Sequence, residues 1–436
     1  MNDARDAVQA LYRSEPDREW GRLARHPMEF AVTLRALDDH LPPPPADILD
    51  CGGGPGRYAV TLTRRGYNVT LFDLSPELIA LARAKAEGHG VELAGYEQGT
   101  ATDLSRFGAD RFDAVLLMGP LYHLLEETER RQALAEAYRV VKPGGWVFAA
   151  FISRYAGHID AAAHYPERAP KMPELYYRIA ETGLLPPRAN GSTGFTAYFA
   201  HPNEVRPLCR RLGLDVTALL AVEGVTSGRE EKISALEGED WQFWVDLNYK
   251  IAQDPSILGG TEHLLAVCRK PLWRRVLTNL ARELDRANIA YKVVGGTSLA
   301  LHGLDVPVND LDLELPPGDI YRFQERFADY AIEPVTWRES DVIRSHFGRF
   351  VIDAVTVEAM ASLERRTPDG RWVPSLASTG DTVEIDGTEI HVTSLEEEVL
   401  AYLRRGRLDR AALGLRACSP DRFRSLLKRA QQQNLF

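Results

Sequence analysis

The chain has 436 residues, of which 44% are hydrophobic and 26% charged, as in soluble globular proteins. At about 100–200 residues per domain, this length predicts two or three domains. The 52 Lys and Arg are outnumbered by 62 Asp and Glu, and this net charge of −10 disfavours a broad nucleic-acid-binding surface. The polar N-terminus does not resemble a signal peptide, and no apolar run approaches a membrane span of about 18 residues, so a cytoplasmic location without membrane contact is expected.

Residues 7–40 carry apolar side chains at three- and four-residue steps, which predicts helices. Beyond the prolines at 42–45, short apolar strands alternate with helices. This alternation predicts a doubly wound α/β domain, with a mostly parallel sheet between two layers of helices. The predicted strands are Asp47–Cys51, Asn68–Phe72, Phe112–Leu117 and Trp146–Phe151, and the helices between them include Ser75–Ala86 and Glu127–Val140.

Residues 155–230 are less regular, and their scattered Pro and Gly predict a substrate cap or insertion over the sheet. Late strands are predicted at residues 212–222 and 262–269. After Pro271 the pattern restarts with a helix over Leu272–Ala287 and a strand over Tyr291–Val294. We therefore predict two domains, residues 1–270 and residues 271–436, the second a smaller α+β domain with a mixed sheet.

A glycine-rich segment, Gly52-Gly53-Gly54-Pro55-Gly56, follows the first predicted strand and precedes a helix. Glycines allow a ligand to approach the backbone closely, and a helix N-terminus favours an anionic group. About 20 residues later, Asp73 ends the second strand, where a carboxylate can accept both hydroxyls of a ribose. The segment therefore predicts a nucleoside-containing ligand.

The G-x-G-x-G spacing, the strand Phe112–Met118 and the turn Arg139–Gly145 resemble those of class I S-adenosylmethionine-dependent methyltransferases over about residues 10–270. The resemblance implies S-adenosylmethionine as cofactor. The family's Gly-Asp-Ala is replaced by Gly99-Thr100-Ala101, so Asp103 becomes a candidate for the adenine amino group. The implied cofactor contacts are Gly52, Gly53 and Gly54 for the methionine part, Asp73 for the ribose, Leu74, Ala101 and Thr102 for the adenine, and Met118 and His123 for the sulfonium end.

His123 is the preferred candidate for a catalytic base, because it follows the fourth strand at the carboxyl edge of the sheet. His201, Tyr122 and Glu19 are alternatives. Several segments also resemble a subgroup of small-molecule methyltransferases, which implies a small-molecule substrate. These segments are Glu19–Leu23, His26–Phe30, Ala200–Pro202 and Gly260–His263.

In the second domain, Val293-Val294 lead into Gly295, Gly296 and Thr297, and Asp310 and Asp312 follow in Asn-Asp-Leu-Asp-Leu-Glu. The two aspartates alternate on a predicted strand, so both point to one face. Paired carboxylates bind hard cations such as Mg²⁺, and the backbone of a glycine turn can cradle phosphates. The pattern predicts a site for a magnesium-bound nucleotide.

This pattern resembles the nucleotidyltransferase superfamily that includes aminoglycoside and lincosamide nucleotidyltransferases, over about residues 272–412. The resemblance implies an NTP with Mg²⁺, bound at Gly295, Gly296 and Thr297. It also implies a third carboxylate, usually Asp, as catalytic and metal-binding partner of Asp310 and Asp312. Glu358, inside the second strand of a predicted hairpin, is preferred over Asp353 at its turn. Arg365, Arg404 and Arg405 are candidates for binding the phosphates.

We therefore predict a bifunctional enzyme that methylates a small molecule and transfers a nucleotide to a hydroxyl. Two alternatives stay open. The protein could modify RNA through the arginine cluster near residue 404, or its second domain could be a non-catalytic module. The oligomeric state is not predicted.

Overall fold

The computed structural model describes residues 19–186, 195–366, 370–374 and 380–432. They divide into two compact units, Met1–Pro271 and Leu272–Phe436. The start of the predicted N-terminal helices, residues 7–18, and part of the predicted cap, residues 187–194, lie outside the described ranges. Cys51, Cys209, Cys268 and Cys418 are free thiols. Among the described helices, none has both the length and the apolar character needed to cross a bilayer.

The first unit is built on a nine-stranded sheet with the order β3-β2-β1-β4-β5-β7-β6, to which β9 is added beside β5 and β8 beside β9. The pairs among β1 to β5 are parallel, whereas β9 is antiparallel to β5 and to β8. The strands are β1 Asp47–Cys51, β2 Asn68–Asp73, β3 Gly95–Gln98, β4 Phe112–Leu117, β5 Val141–Ser153, β6 Leu184–Leu185, β7 Ala197–Ala200, β8 Asp215–Ala221 and β9 His263–Arg269.

Helices cover this sheet because their apolar positions recur every three to four residues. In Pro27–His40, for example, Met28, Val32 and Ala36 are fully buried. The helices are α1 Arg22–Arg25, α2 Pro27–His40, α3 Arg57–Arg64, α4 Pro76–Gly88, α5 Pro120–His123, α6 Glu127–Val140, α7 Ala156–His164, α8 Pro173–Thr182, α9 Pro202–Arg211, α10 Glu230–Ser234, α11 Gly238–Ile251 and α12 Pro255–Leu258.

The second unit has an eight-stranded mixed sheet with the order β12-β13-β14-β11-β10-β17-β16, and β15 pairs with β14. The pairs β11/β14 and β10/β17 are parallel, and the others are antiparallel. The strands are β10 Lys292–Val294, β11 Asp310–Glu314, β12 Ala331–Glu339, β13 Ile343–Ile352, β14 Val355–Arg366, β15 Trp372–Pro374, β16 Asp381–Ile385 and β17 Thr388–Val392.

The long helix Leu272–Arg286 covers one face of this second sheet. Its buried side chains form a core with the strand residues Leu311, Val357 and Val392. The helices are α13 Leu272–Arg286, α14 Gly295–Leu301, α15 Asp319–Arg326, α16 Leu395–Arg404, α17 Leu408–Leu415 and α18 Pro420–Gln432. The predicted fold class, a Rossmann-like α/β unit with a smaller mixed-sheet unit, is confirmed.

Candidate functional sites

The glycine-rich loop lies between β1 and α3 and packs against the segment that follows β4. Gly52 and Gly54 have φ values of 73° and 54°, which only glycine adopts without strain. A Cβ atom on Gly52 would lie 2.4 Å from Cδ of Pro120. The glycines therefore allow the loop after β1 to pack closely against the segment after β4, and both segments line one cavity.

Asp73, the last residue of β2, fixes this loop. Its Oδ2 accepts a hydrogen bond from the Gly54 amide at 2.8 Å, and its Oδ1 accepts one from the Ser75 amide at 2.8 Å. Burial raises the pKa of Asp73, and these amide hydrogen bonds oppose the shift. Each carboxylate oxygen has further acceptor capacity, so Asp73 can hold the loop and accept ligand hydroxyls together.

The cavity above the loop has a volume of about 140 Å³. Thr102, predicted to contact the cofactor, does not line the cavity. Its hydroxyl lies 3.0 Å from the hydroxyl of Thr100, and Thr100 does line the cavity. Asp103 does not line the cavity either, and its side chain accepts a hydrogen bond from the Ser105 amide at 3.0 Å. The predicted residues that do line the cavity are Gly52, Gly53, Gly54, Asp73, Leu74, Ala101, Met118 and His123.

His123 lies in α5, and its Nδ1 is 3.2 Å from the carbonyl oxygen of Thr196. Burial lowers the pKa of His123 to about 4, and the charge of Arg22 acts in the same direction. The imidazole is therefore neutral at pH 7 but weakly basic. Among the alternatives, His201 caps α9, where its Nδ1 accepts from the Asn203 amide at 3.2 Å.

A network of buried charges, which we call the Arg22–Glu223 network, lies beside this cavity. Arg22 lines the cavity and donates to both oxygens of Glu29, at 2.7 and 3.0 Å. His263 on β9 lies 3.9 Å from Glu29 and places its Nδ1 2.6 Å from Oε1 of Glu223. Burial would raise the pKa of Glu29, but the charges of Arg22 and His263 lower it to about 2.

The sequence pattern predicts no role for this network. Arg22, Glu29 and His263 fall within the segments that resemble the small-molecule subgroup, and that resemblance was the only available signal. The ligand atoms of Glu29, Glu223 and His263 lie within 4.8 Å of one another, as a metal site would require. However, Arg22 occupies both oxygens of Glu29, so we interpret the cluster as an ion-pair network.

In the second unit, the structure brings Asp310, Asp312 and Glu358 together. Asp312 on β11 is in register with Glu358 on the parallel strand β14. The carboxylates of all three residues lie within 4.8 Å of one another. Asp353, the alternative third acid, lies at the β13–β14 turn with a φ of 47° and faces Arg275 at 3.4 Å. The geometry therefore favours Glu358.

The charges at this cluster suit a divalent cation. Burial raises the pKa of Asp312 to about 7, and the nearby carboxylates of Asp310, Glu358 and Glu398 add to the shift. Arg349 on β13 offsets part of this charge, because its Nε and Nη2 donate to Oε1 of Glu358 at 3.0 and 2.8 Å. Three convergent carboxylates with excess negative charge fit a hard metal ion such as Mg²⁺.

The glycine turn after β10 lies against this cluster. A Cβ atom on Gly295 would lie 2.2 Å from Oδ2 of Asp312, so only glycine fits there. The Gly295 amide donates to the carboxylate of Glu398 on α16, which lowers the pKa of that buried acid, although burial still raises it to about 6. Thr297 is buried, and its hydroxyl donates to the Asp310 carbonyl at 2.7 Å.

A cavity of about 530 Å³ opens beside the cluster. Of the predicted nucleotide contacts Gly295, Gly296 and Thr297, only Gly295 lines it. The three arginines predicted to bind phosphates, Arg365, Arg404 and Arg405, all do. Two further cationic residues, Lys292 and Arg338, line it as well, and no sequence pattern pointed to them.

Comparison with known families identifies both domains. Residues 48–145 match a family described as "Methyltransferase domain", and residues 276–413 match one described as "Aminoglycoside-2''-adenylyltransferase". The chain is thus a class I S-adenosylmethionine-dependent methyltransferase domain followed by a domain of the aminoglycoside-2''-adenylyltransferase family.

Individual relatives cover one or the other domain. A ubiquinone biosynthesis O-methyltransferase of Thiobacillus denitrificans is 29% identical over 221 residues, 51% of this chain and 83% of the relative. One from Xanthomonas axonopodis pv. citri is 35% identical over 123 residues, 28% of this chain and 50% of the relative. A solved structure from Thermotoga maritima, described as a nucleotidyltransferase, is 32% identical and covers 32% of this chain and 88% of its own, with a TM-score of 0.30.

The chain spans 39%, 50% and 52% of the length of three of the curated methyltransferases that it matches.

Proposed function

We propose that the first unit transfers a methyl group from S-adenosylmethionine to an oxygen atom of a small molecule. The observation that carries this proposal is Asp73, whose carboxylate holds the Gly54 amide at the edge of the cavity and has acceptor capacity left for ribose hydroxyls. Several of the relatives are named ubiquinone biosynthesis O-methyltransferases, which supports oxygen as the accepting atom, although one relative is a glycine/sarcosine N-methyltransferase.

The residues around the cavity have distinct roles in this proposal. The cofactor supplies an electrophilic methyl group on a positively charged sulfur. Arg22, which lines the cavity, binds the carboxylate of the methionine part, and Gly52 to Gly54 allow close approach of the backbone. Methyl transfer requires chiefly that the acceptor is aligned with the methyl–sulfur bond, so the protein contributes positioning and exclusion of water.

The test is calorimetric titration of the full chain with S-adenosylhomocysteine. Replacing Asp73 by Ala removes hydrogen bonds to a charged acceptor, so we expect affinity to fall at least about tenfold. Asp103→Ala is the matched control, because Asp103 lies outside the cavity and contacts Ser105. Equal affinity in both variants would contradict the assignment of Asp73.

We also propose that the second unit transfers a nucleoside monophosphate from an NTP to a hydroxyl group. The observation that carries this is the convergence of Asp310, Asp312 and Glu358 within 4.8 Å at a large cavity. These residues would hold Mg²⁺, which supplies charge stabilisation to the phosphates and the leaving group. Arg365, Arg404 and Arg405 line the same cavity and bind the phosphates in this proposal, which favours a nucleotide site over an RNA surface for these arginines.

The family description suggests adenylyl transfer to an aminoglycoside or a related amino-sugar compound. Glu339 and Glu397, which also line the cavity, suit the amino groups of such an acceptor. A hydroxylated small molecule of this kind could accept both modifications. We therefore propose small molecules as the partners of both sites.

The test is a thermal shift of the full chain with each of the four NTPs plus Mg²⁺, because a ligand that binds the native state raises the melting temperature. We expect a shift with one NTP that is lost in the double variant Asp310→Asn/Asp312→Asn and kept in the control Asp353→Asn. No shift with any NTP would indicate a non-catalytic second domain.

A further inference from the structure

A small chamber adjoins the cofactor cavity and shares Tyr58, Met118 and Tyr122 with it. Its volume is about 10 Å³, which is room for about one water-sized group. The chamber lies beside the ends of β4, β8 and β9, and Ala150, Val222 and Leu265 form its apolar side. Its polar side consists of Glu29, Thr33 and His263.

His263 is held in this chamber by a fixed carboxylate. Glu223 is 1% exposed, and its Oε2 accepts from the His263 amide and from the Thr261 hydroxyl, both at 2.8 Å. Its Oε1 accepts from Nδ1 of the His263 ring at 2.6 Å. A carboxylate bound in this way sets the orientation of the imidazole and the position of its protons. Among the described residues the ring contacts its partners through Nδ1, so Nε2 is the nitrogen available to a ligand in the chamber.

The ring is also positively charged. Burial alone would lower the pKa of His263, but the neighbouring carboxylates of Glu29 and Glu223 raise it to about 9. Nε2 therefore carries a proton at neutral pH and can donate a hydrogen bond. Within the Arg22–Glu223 network, the basic side chains of Arg22 and His263 face the acidic side chains of Glu29 and Glu223, and Glu19 also contacts Arg22 at 3.2 Å.

From this geometry we propose that His263 donates a hydrogen bond from Nε2 to the methyl-accepting oxygen, and that the acceptor is an acidic hydroxyl, such as a phenol, that reacts as its anion. This inference rests on the proposed methyl transfer. The acceptor loses its proton to solvent before the reaction. An oxygen–methyl bond then forms while the methyl–sulfur bond breaks, which leaves a neutral ether and S-adenosylhomocysteine.

This chemistry explains why the chamber contains a proton donor instead of a base. His263 keeps its proton throughout and stabilises the negative oxygen beside the positive sulfur. The negative oxygen and the positive sulfur neutralise each other in the reaction, so both products are uncharged at the reacting atoms. His123, which is neutral and lines only the cofactor cavity, is not needed as a base in this scheme.

The experiment uses the full chain saturated with S-adenosylhomocysteine and 4-nitrophenol as the probe, because its absorbance distinguishes phenol from phenolate. We expect the wild type to bind the phenolate and to lower the pKa of the bound probe. His263→Gln removes the charge-assisted hydrogen bond, so phenolate affinity should fall about 10- to 100-fold. His201→Gln is the matched control, since His201 caps α9 and does not line the chamber, and it should behave as the wild type.

Calorimetry with S-adenosylhomocysteine alone separates the possible failures. If the wild type does not bind S-adenosylhomocysteine, the proposed methyltransferase site itself is refuted. Normal binding of S-adenosylhomocysteine, together with no binding of 4-nitrophenol, binding of its neutral form, or equal phenolate affinity in His263→Gln, would overturn the role of His263.

Discussion

The charged pair of Glu29 and His263 makes the stability of the first unit depend on pH in a defined direction. The pKa of His263 is raised to about 9, so the folded state binds this proton more tightly than the unfolded chain does. Its stabilising effect is complete below the ordinary histidine pKa of about 6.5 and is lost as the pH rises through about 9.

Replacement of His263 by Gln should therefore cost more stability at pH 6 than at pH 10. The difference between the two conditions should reach at most about 3.5 kcal/mol, because the pKa rises from 6.5 to about 9 and one pKa unit corresponds to about 1.4 kcal/mol. The measurement is urea unfolding of both proteins across this pH range, following the transition that S-adenosylhomocysteine shifts. A cost that stays constant with pH would show that His263 is not charged in the folded protein.

Gly295 offers a second test at the scale of one residue. An Ala at this position would place its Cβ 2.2 Å from Oδ2 of Asp312 and would also adopt a φ of 72°. Gly303→Ala is the matched control, because Gly303 has a φ of 83° but no atom within 4 Å of the added Cβ. Both variants bear the backbone cost of about 1–2 kcal/mol, but only Gly295→Ala displaces a proposed metal ligand.

We expect Gly303→Ala to lower the melting temperature and to keep the stabilisation by Mg²⁺ and an NTP, whereas Gly295→Ala should lose that stabilisation. Thermal shifts with and without the ligands distinguish the two variants. Retention of the ligand shift in Gly295→Ala would argue against a cation bound at Asp312.

Some site residues could be predicted from the sequence and others could not, for a physical reason. The alternation of Asp310 and Asp312 on one strand is a local pattern, so their common orientation followed from the sequence. Glu223 and His263 are brought together by tertiary packing near the ends of β8 and β9. No local pattern predicts such a contact. Arg349 and Glu358, by contrast, pair across the β13–β14 hairpin, so their contact depends on the register of that hairpin.

At the scale of elements, Lys270 connects the end of β9 to the junction between α6 and β5. Its Nζ donates to the carbonyls of Tyr138 and Val141, both at 2.9 Å, and to Asp110 at 2.7 Å. Lys270→Met should destabilise the first unit by about 1–3 kcal/mol, because it leaves two backbone acceptors without their donor.

Lys142→Met is the matched control for this substitution. Lys142 also contacts an aspartate, Asp113 at 2.8 Å, but its side chain is 39% exposed, so its loss should cost less than about 1 kcal/mol. Chemical unfolding of the two variants provides the comparison. A similar cost for both would mean that the carbonyl contacts of Lys270 contribute little.

Apolar strands were predicted well and polar or interrupted ones were not. The predicted strand Phe112–Leu117 agrees with β4, because its continuous apolar run is typical of a strand buried on both faces. The edge strand β3, Gly95–Gln98, was missed because its residues are mostly polar. β5 begins at Val141 instead of the predicted Trp146, since Val141 pairs with Phe112 of β4 and the pairing resumes at Trp146 after a register shift.

At the scale of the whole molecule, each unit has its own sheet and its own hydrophobic core. We expect differential scanning calorimetry of the full chain to resolve two transitions. S-adenosylhomocysteine should raise only one, and Mg²⁺ with the preferred NTP only the other, because each ligand stabilises the unit that binds it. A ligand that shifts both transitions equally would show that the units unfold together.

β9 ends at Arg269 and α13 begins at Leu272, so the two units are joined through two residues of one polypeptide. Every translated chain therefore carries one copy of each site. A cell that makes this protein cannot adjust the amount of one site by gene expression without changing the other. The balance between the two proposed activities is then set by turnover rates and substrate supply, and selection on either rate acts on amino-acid substitutions within a single gene.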